Sequence, residues 1–322
     1  MGRKFIYLLS IFTFLFSTVS AQNDTLAFAH LSDIHICNLS AYHPEFVKLR
    51  QHYGNGTAPL SDFIEIKVRQ LGADAIIITG DLIDYFGAES SDGQMLETQI
   101  EQFVPLYSSS SVPMYLTLGN HDITTYWIND SLELEQSQLE AQRARAAWIR
   151  NISCFREGTY YSRTFRIDET SYRFLFLDNG YSLSNGSYLD KTQLDWLDGQ
   201  VKQFTDDPII IFMHKYLPVT DLNGDSVLFT NNETITLDEQ TCSQGFLKTL
   251  NENTNIKAIF CGHGHKNVGE WLTFPTGHKI LQTETAGFAN DKNHWRMLKF
   301  TSDQIIIDST GTRGREYVIE IK

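Results

Sequence analysis

Apolar and polar positions along this chain fall into two regimes. From residue 26 to about 125, short runs of aliphatic and β-branched side chains alternate with longer segments of helical period. Leu26–Leu31 and Ala75–Thr79 are near-continuous apolar runs, and residues 114–118 form a third behind Val112-Pro113. Such uninterrupted runs suit strands of a sheet covered on both faces. Between them a helix is predicted from near Ser61, carrying Phe63, Ile64, Ile66, Val68 and Leu71 towards the sheet, and another over residues 95–107. Residues 131–150 read as a charged helix, with Ser131 as N-cap and Glu133 and Glu135 in its first turn. Residues 160–167 and 172–177 alternate like the arms of a hairpin. Leu194, Trp196, Leu197 and Val201 then give helical spacing within residues 189–204, and a polar loop occupies about 218–240. Further strands are expected over residues 209–213, 257–261, 279–283, 295–300, Gln304–Asp308 and 317–321. The pattern predicts an α/β protein: two mixed β-sheets packed face to face, flanked by helices, in one domain.

The start of the chain stands outside that pattern. Arg3 and Lys4 precede an apolar stretch over residues 5–16 broken only by Ser10 and Thr13. Val19-Ser20-Ala21 then has the small-residue form of a cleavage site before Gln22. The stretch is shorter than the ~20 apolar residues a membrane span needs, no Cys follows the cleavage site, and no later stretch is long and apolar enough to span. We therefore expect a signal peptide at 1–21, a single mature domain at 22–322, and export to the periplasm or medium. Loss of Arg3 and Lys4 takes the net charge from −13 to −15. A chain this acidic, without a basic stripe, repels phosphate backbones and argues against a nucleic-acid polymer as partner. A phosphate ester in its pocket would need positive charge from metal ions. Of the four cysteines, Cys261 ends an apolar strand and Cys37 follows His35 by two residues, which leaves Cys154–Cys242 as the default disulfide by elimination. The sequons at Asn151 and Asn232 matter only in a host that glycosylates.

Five apolar runs stop on chemically related residues. They end in Ser32-Asp33-Ile34-His35, Gly80-Asp81, Gly119-Asn120-His121-Asp122, His214, and Gly262-His263-Gly264-His265. Ligands of open α/β sheets bind outside the carboxyl ends of the strands, so five such endings would converge on one crevice. Taken singly, each is weak: Gly-Asp is usually a turn, and a lone strand-end His is more often structural. The set, in order and each after a strand, is what carries the reading. Asp, Asn and His donors suit Mn, Fe, Zn or Ni. Two divalent ions about 3.5–4 Å apart can clamp both oxygens of an in-line phosphoryl displacement.

The order D-x-H, GDxxD, GNHD, H, GHxH resembles the calcineurin-like metallophosphoesterases, over residues 26 to about 270. The resemblance implies that family's four-layer αββα sandwich. It also implies two divalent metal ions, the first held by Asp33, His35, Asp81 and His265. The second would be held by Asp81, Asn120, His214 and His263, with Asp81 as the bridge. His121 would contact the scissile phosphate and protonate the leaving group, and Asp84, the last position of GDxxD, would orient His121 and keep it charged. The implied reaction is hydrolysis of a phosphate mono- or diester by a metal-bridging hydroxide. The chain departs from purple acid phosphatases, which carry a tyrosine ligand where Asp84 stands and usually lack a histidine at the position of His35. It looks more like the group holding class III phosphodiesterases, which favours a diester.

Around the crevice, Tyr126 and Trp127 either stack on substrate or pack the following helix. Lys215 and Tyr216 belong at the rim, where Lys215 either binds a phosphate oxygen or is solvated. His43, His52 and Tyr53 read as surface loop, Asn267 and His294 as weaker candidates, and Arg143, Arg145 and Arg150 as the wet face of a helix. The expected partner is a small-molecule or lipid-derived phosphate ester. The alternative is a non-catalytic metal-binding or scaffolding protein on the same fold. Such proteins usually lack ligands or the catalytic histidine, and none is missing here.

Overall fold

The apolar runs pair as two six-stranded sheets in a computed structural model that describes residues 24–53, 56–180, 189–217, 237–274 and 276–321. The expected signal peptide, Asn232 and most of the polar loop lie outside these residues, as does the side chain of Cys242. In chain order the strands are β1 (Leu26–Leu31), β2 (Ala75–Thr79), β3 (Gly87–Glu89), β4 (Met95–Leu96), β5 (Met114–Thr117), β6 (Thr125–Ile128), β7 (Leu134–Ser137) and β8 (Tyr161–Ile167). They continue as β9 (Thr170–Phe176), β10 (Ile209–Lys215), β11 (Ile256–Gly262), β12 (Val268–Thr273), β13 (Lys279–Glu284), β14 (Arg296–Phe300), β15 (Gln304–Asp308) and β16 (Arg315–Glu320). The α-helices are α1 (Pro44–Arg50), α2 (Thr57–Asp62), α3 (Val68–Leu71), α4 (Gln99–Ser109), α5 (Ala141–Asn151), α6 (Lys191–Gln203) and α7 (Leu237–Glu252).

One sheet has the order β16-β15-β14-β1-β2-β5, the other β12-β13-β11-β10-β9-β8. Both are mixed: β1, β2 and β5 run parallel, as do β9, β10, β11 and β13, while the remaining strands pair antiparallel. Side chains alternate across a strand, and that alternation sorts the core into layers. Phe28 on β1 meets Phe174 on β9 at 5.2 Å between ring centres, and Phe174 meets Phe212 on β10 at 5.2 Å. These rings fill the space between the sheets. The intervening residues Leu175, Ile209, Ile211, Met213 and Ile259 face away and pack with Leu197 and Val201 of α6 and Phe246 and Leu250 of α7. On the other side, Leu60, Phe63, Ile64, Val68, Phe103 and Trp148 cover the first sheet. The result is the expected αββα sandwich of two mixed sheets flanked by helices. His214 shares the parity of Phe212, so its side chain leaves β10 on the face between the sheets.

Three expectations are corrected. Residues 131–150 are not one helix: β6 and β7 form a hairpin, and the helix α5 starts only at Ala141. Asn129 Oδ1 accepts from the backbone of both Ser131 and Glu133, and Leu132 takes φ 61°, so the residues read as a cap instead make a turn. Tyr126, Trp127 and Ile128 are themselves strand formers. This hairpin joins a small sheet of order β4-β3-β6-β7, which claims Met95 and Leu96 and delays α4 to Gln99. Ile66 is 54% exposed rather than buried, because Phe63–Lys67 is a π-helical turn that shifts the phase of the apolar stripe. The strand β12, which the pattern does not predict, carries one buried residue, Leu272, and so leaves little hydrophobic pattern to read.

Candidate metal centre

The parallel strands β1, β2, β5, β10 and β11 deliver their endings to one place. Asp33 and His35 follow β1, and Asp81 follows β2. Pairing continues past the strands, with Asp33 N donating to Gly80 O at 3.1 Å and His35 N to Asp81 O at 2.9 Å. Seven non-glycine residues among those described have positive φ, and five are here: Asp33, His35, Asp81, His263 and His265. The left-handed conformation costs an L-residue about 1–2 kcal/mol. Five instances in one crevice mark a backbone shaped for its side chains rather than for itself. Two glycines let the strand ends close up. A Cβ on Gly80, at φ +85°, would lie 2.5 Å from His214 Nδ1, and one on Gly119 would overlap the Asp81 carboxylate.

All nine residues expected at the site are brought together. His265 Nε2 lies 3.2 Å from Asp33 Oδ1 and 3.2 Å from His35 Nε2. His214 Nε2 lies 3.2 Å from Asp81 Oδ2, 3.1 Å from Asn120 Oδ1 and 3.2 Å from His263 Nδ1. Asp81 stands between the two groups, with Oδ2 3.7 Å from His35 Nε2, and its Oδ1 accepts from the backbone N–H of His121 at 2.9 Å. Asp33, His35 and His265 form one cluster able to hold a metal ion, and Asp81, His214 and His263 another. His121 offers a donor atom close to those of His35 and Asp81.

The hydrogen bonds fix how these rings point. His214 Nδ1–H donates to Thr79 O at 2.8 Å, and His35 Nδ1–H to Asp84 Oδ1 at 3.0 Å. Their Nε2 lone pairs therefore face other acceptors: carboxylates, an amide oxygen and a second imidazole. Acceptors turned on one another need a cation between them, and the donor set fits a divalent metal of the imidazole–carboxylate class. With protein groups alone, a proton is the only substitute. Burial works to lower His214, yet the Asp81 carboxylate outweighs it and pulls the ring up to about 9. Burial likewise works to raise Asp81, but His214, His121 and His35 hold it well below the ordinary carboxylate range. His263 is pushed down to about 4 by burial and by the charge on His214.

The Asp84 carboxylate faces three cationic or histidine side chains. It bonds His35 and Arg50, and stands 3.8 Å from His121 Nδ1. The backbone oxygen of Asp84 is what accepts from His121 Nδ1–H, at 2.8 Å. Burial works to lower the His121 pKa, while the carboxylates of Asp81 and Asp84 work to raise it, and burial is the larger effect.

Sequence reasoning missed Arg50 altogether and misassigned Tyr53, which stacks on His35 at 4.2 Å and 7° instead of lying on a surface loop. Tyr126 packs in β6 rather than on a helix, with its hydroxyl 3.2 Å from His121 Nδ1. Asn179, also missed, accepts from the backbone N–H of His214 and Lys215 and donates to Lys215 O, fixing the end of β10. Lys215 is half-buried at the rim, and burial lowers its pKa. Asp122 caps Ile83 N and Gly119 N. The remaining candidates are structural: Asn267 accepts from Ala286 N, His294 bonds Gly287 O, His43 caps α1 and His52 is exposed. Arg145 forks onto buried Asp178 rather than facing water, Arg143 pairs with Glu97 and Glu140, and Arg150 is exposed as expected. Cys154 is a buried thiol, and the side chain of its expected partner Cys242 lies outside the described residues.

Known proteins bear on this geometry. Residues 26–267 match the family model described as calcineurin-like phosphoesterase. The glycerophosphodiester phosphodiesterase GpdQ of Enterobacter lignolyticus (strain SCF1) is 23% identical over 239 residues, 74% of this chain and 70% of that protein. A dimetal phosphatase from Danio rerio superposes with TM-score 0.57 at 14% identity, over 92% of this chain and 99% of that one. GAP50, the anchor in the inner membrane complex of Plasmodium, superposes with TM-score 0.53 at 13% identity, over 92% and 88%. The structural likenesses establish a shared αββα architecture. The family match spans all five strand endings, and this chain belongs to the calcineurin-like phosphoesterase family, hydrolases of phosphoester bonds.

Proposed function

We propose that the protein is an exported dimetal phosphoesterase acting on a small or lipid-derived phosphate ester, with diesters preferred. The observation that carries this reading is the set of acceptors turned on one another at the strand ends, His35 against His265 and Asp33, and His214 against Asp81, Asn120 and His263. Asp33, His35, Asp81 and His265 would hold the first ion, and Asp81, Asn120, His214 and His263 the second. When bound, such a pair supplies Lewis acidity towards phosphoryl oxygens and lowers the pKa of water near phosphorus.

The remaining work falls to protein groups. His121 Nδ1 is tied to the Asp84 carbonyl, which turns Nε2 towards the crevice as the proton donor to the leaving oxygen. The diester preference draws support from the D-x-H and GNHD motifs and from the likeness to a glycerophosphodiester phosphodiesterase. Export draws support from residues 1–21, and residues 22–322 are read as one domain; N-terminal sequencing of the protein outside the cytoplasm should begin at Gln22. The functional test compares hydrolysis of 4-nitrophenyl phosphate and bis(4-nitrophenyl) phosphate with Mn, Fe, Zn and Ni. Faster turnover of the diester supports the proposal, and turnover of the monoester alone overturns the diester preference.

A further inference from the structure

A short stretch that no motif marks, α1 and the turn Gln51–Tyr53, reaches the metal centre from outside the two sheets. Arg50 ends α1, and its side chain is 13% exposed. Its Nε donates to Asp84 Oδ2 at 2.9 Å, and a terminal nitrogen donates to Asp84 Oδ1, the oxygen that also accepts from His35. The same guanidinium lies 5.0 Å from the centre of the Tyr53 ring and 5.6 Å from that of Tyr126. Each ring meets a different histidine. Tyr53 lies flat on His35, whereas Tyr126 runs beside His121 at 6.0 Å and 22°. His35 and His121 meet edge-on at 4.8 Å, which closes the circuit.

We propose that Arg50 is a positioning residue which, through Asp84, Tyr53 and Tyr126, sets the orientation of both His35 and His121, so that first-ion affinity and leaving-group protonation depend on one guanidinium. The assignment presupposes the dimetal reading above. A guanidinium suits this place for reasons a lysine does not share. Its planar fork matches both carboxylate oxygens of Asp84, and its faces can sit against two aromatic rings at once. With the fork in place, Asp84 Oδ1 points at His35 Nδ1–H and leaves His35 Nε2 directed at Asp33 and His265. Without it, the carboxylate of Asp84 keeps only the His35 bond and can rotate. The two tyrosines also lose the cation between them. Partners that orient a metal-binding histidine typically change metal affinity about 10- to 100-fold when removed. The second-ion ligands Asn120, His214 and His263 make no contact with Arg50, so a loss there is not expected.

The test is titration of the metal-stripped full-length protein with Mn(II), followed calorimetrically, for the wild type, Arg50→Ala and Arg50→Lys. Arg50→Ala should weaken the first site about 10- to 100-fold and leave the second at its wild-type value. Its kcat should fall with KM unchanged, and millimolar methylguanidinium should restore part of the lost affinity. Arg50→Lys should remain weak, because an ammonium cannot fork. If Arg50→Ala does not fold, Tyr53→Leu should weaken the first site alone by removing the ring stacked on His35. Equal weakening of both sites, in step with a lower melting temperature, would reduce Arg50 to an ordinary brace and overturn the assignment. Wild-type affinity at both sites would overturn it as well. A wild type that binds no ion pair would instead overturn the dimetal reading, with this assignment falling alongside it.

Discussion

His30 should give the fold a specific weakness towards acid. It is fully buried between the sheets, with Nε2 3.0 Å from Thr79 Oγ1 and Nδ1 2.9 Å from Thr285 Oγ1. Thr79 Oγ1 donates to Leu31 O, so one ring N–H completes the chain and the neutral imidazole satisfies it. Burial, helped by the charge of Arg296, pushes its pKa from 6.5 down to about 3. In the unfolded chain the ring takes a proton below about pH 6.5, whereas in the fold it does not until about 3. The unfolded state therefore binds more protons across that window. Stability from this residue is complete above 6.5 and falls with pH by about 1.4 kcal/mol per unit, roughly 3 kcal/mol by pH 4. Glu284 acts in the opposite direction, since burial raises its carboxyl to about 7 and makes folding take up a proton as pH falls. A single stability curve would mix the two, so the measurement must be a difference. Urea unfolding of metal-stripped wild type and His30→Gln should be compared at pH 7, 5.5 and 4.5. The variant should be the less stable at pH 7, and the gap should close as pH falls. A constant gap would show that His30 does not resist protonation in the fold.

Two further substitutions probe the centre. Gly119→Ala puts a methyl group onto the Asp81 carboxylate; unfolding should show a loss of about 1–3 kcal/mol, and calorimetry weaker metal binding, with unchanged values on both refuting the close approach. His121→Ala should lower kcat about 10²- to 10⁴-fold while both ions still bind, with larger losses for esters of poorer leaving groups; an equal loss across leaving groups would remove His121 as the proton donor.

The centre was legible because its candidate ligands are local in sequence to the strands that carry them. Apolar runs that stop abruptly on Asp33, Asp81, Asn120, His214 and His263 announce both the strand and the side of the sheet on which it ends. The layer order was legible for a related reason: strands covered on both faces read as unbroken apolar runs. What escaped depends on distant partners. Arg50 meets Asp84 across 34 positions, and Tyr53 meets His35 only because of where α1 packs. Neither residue carries a local signal that separates it from a surface side chain. The β6–β7 hairpin was hidden because Ser131, Glu133 and Glu135 satisfy the rules for a helix start, while the competing turn depends on Asn129 bonding forward. Ile66 was misplaced by a π-turn, which adds a residue to the period that the pattern assumes.

The most direct test is a stoichiometric one. Metal-stripped wild-type protein is titrated with Mn(II) while bis(4-nitrophenyl) phosphate hydrolysis is followed in the same solution. Two ions per chain should bind, and hydrolysis should rise to its plateau only as the second site fills. Two ions bound with no hydrolysis of this or any other phosphate ester, or full activity with no metal present, would contradict a dimetal phosphoesterase built on Asp81.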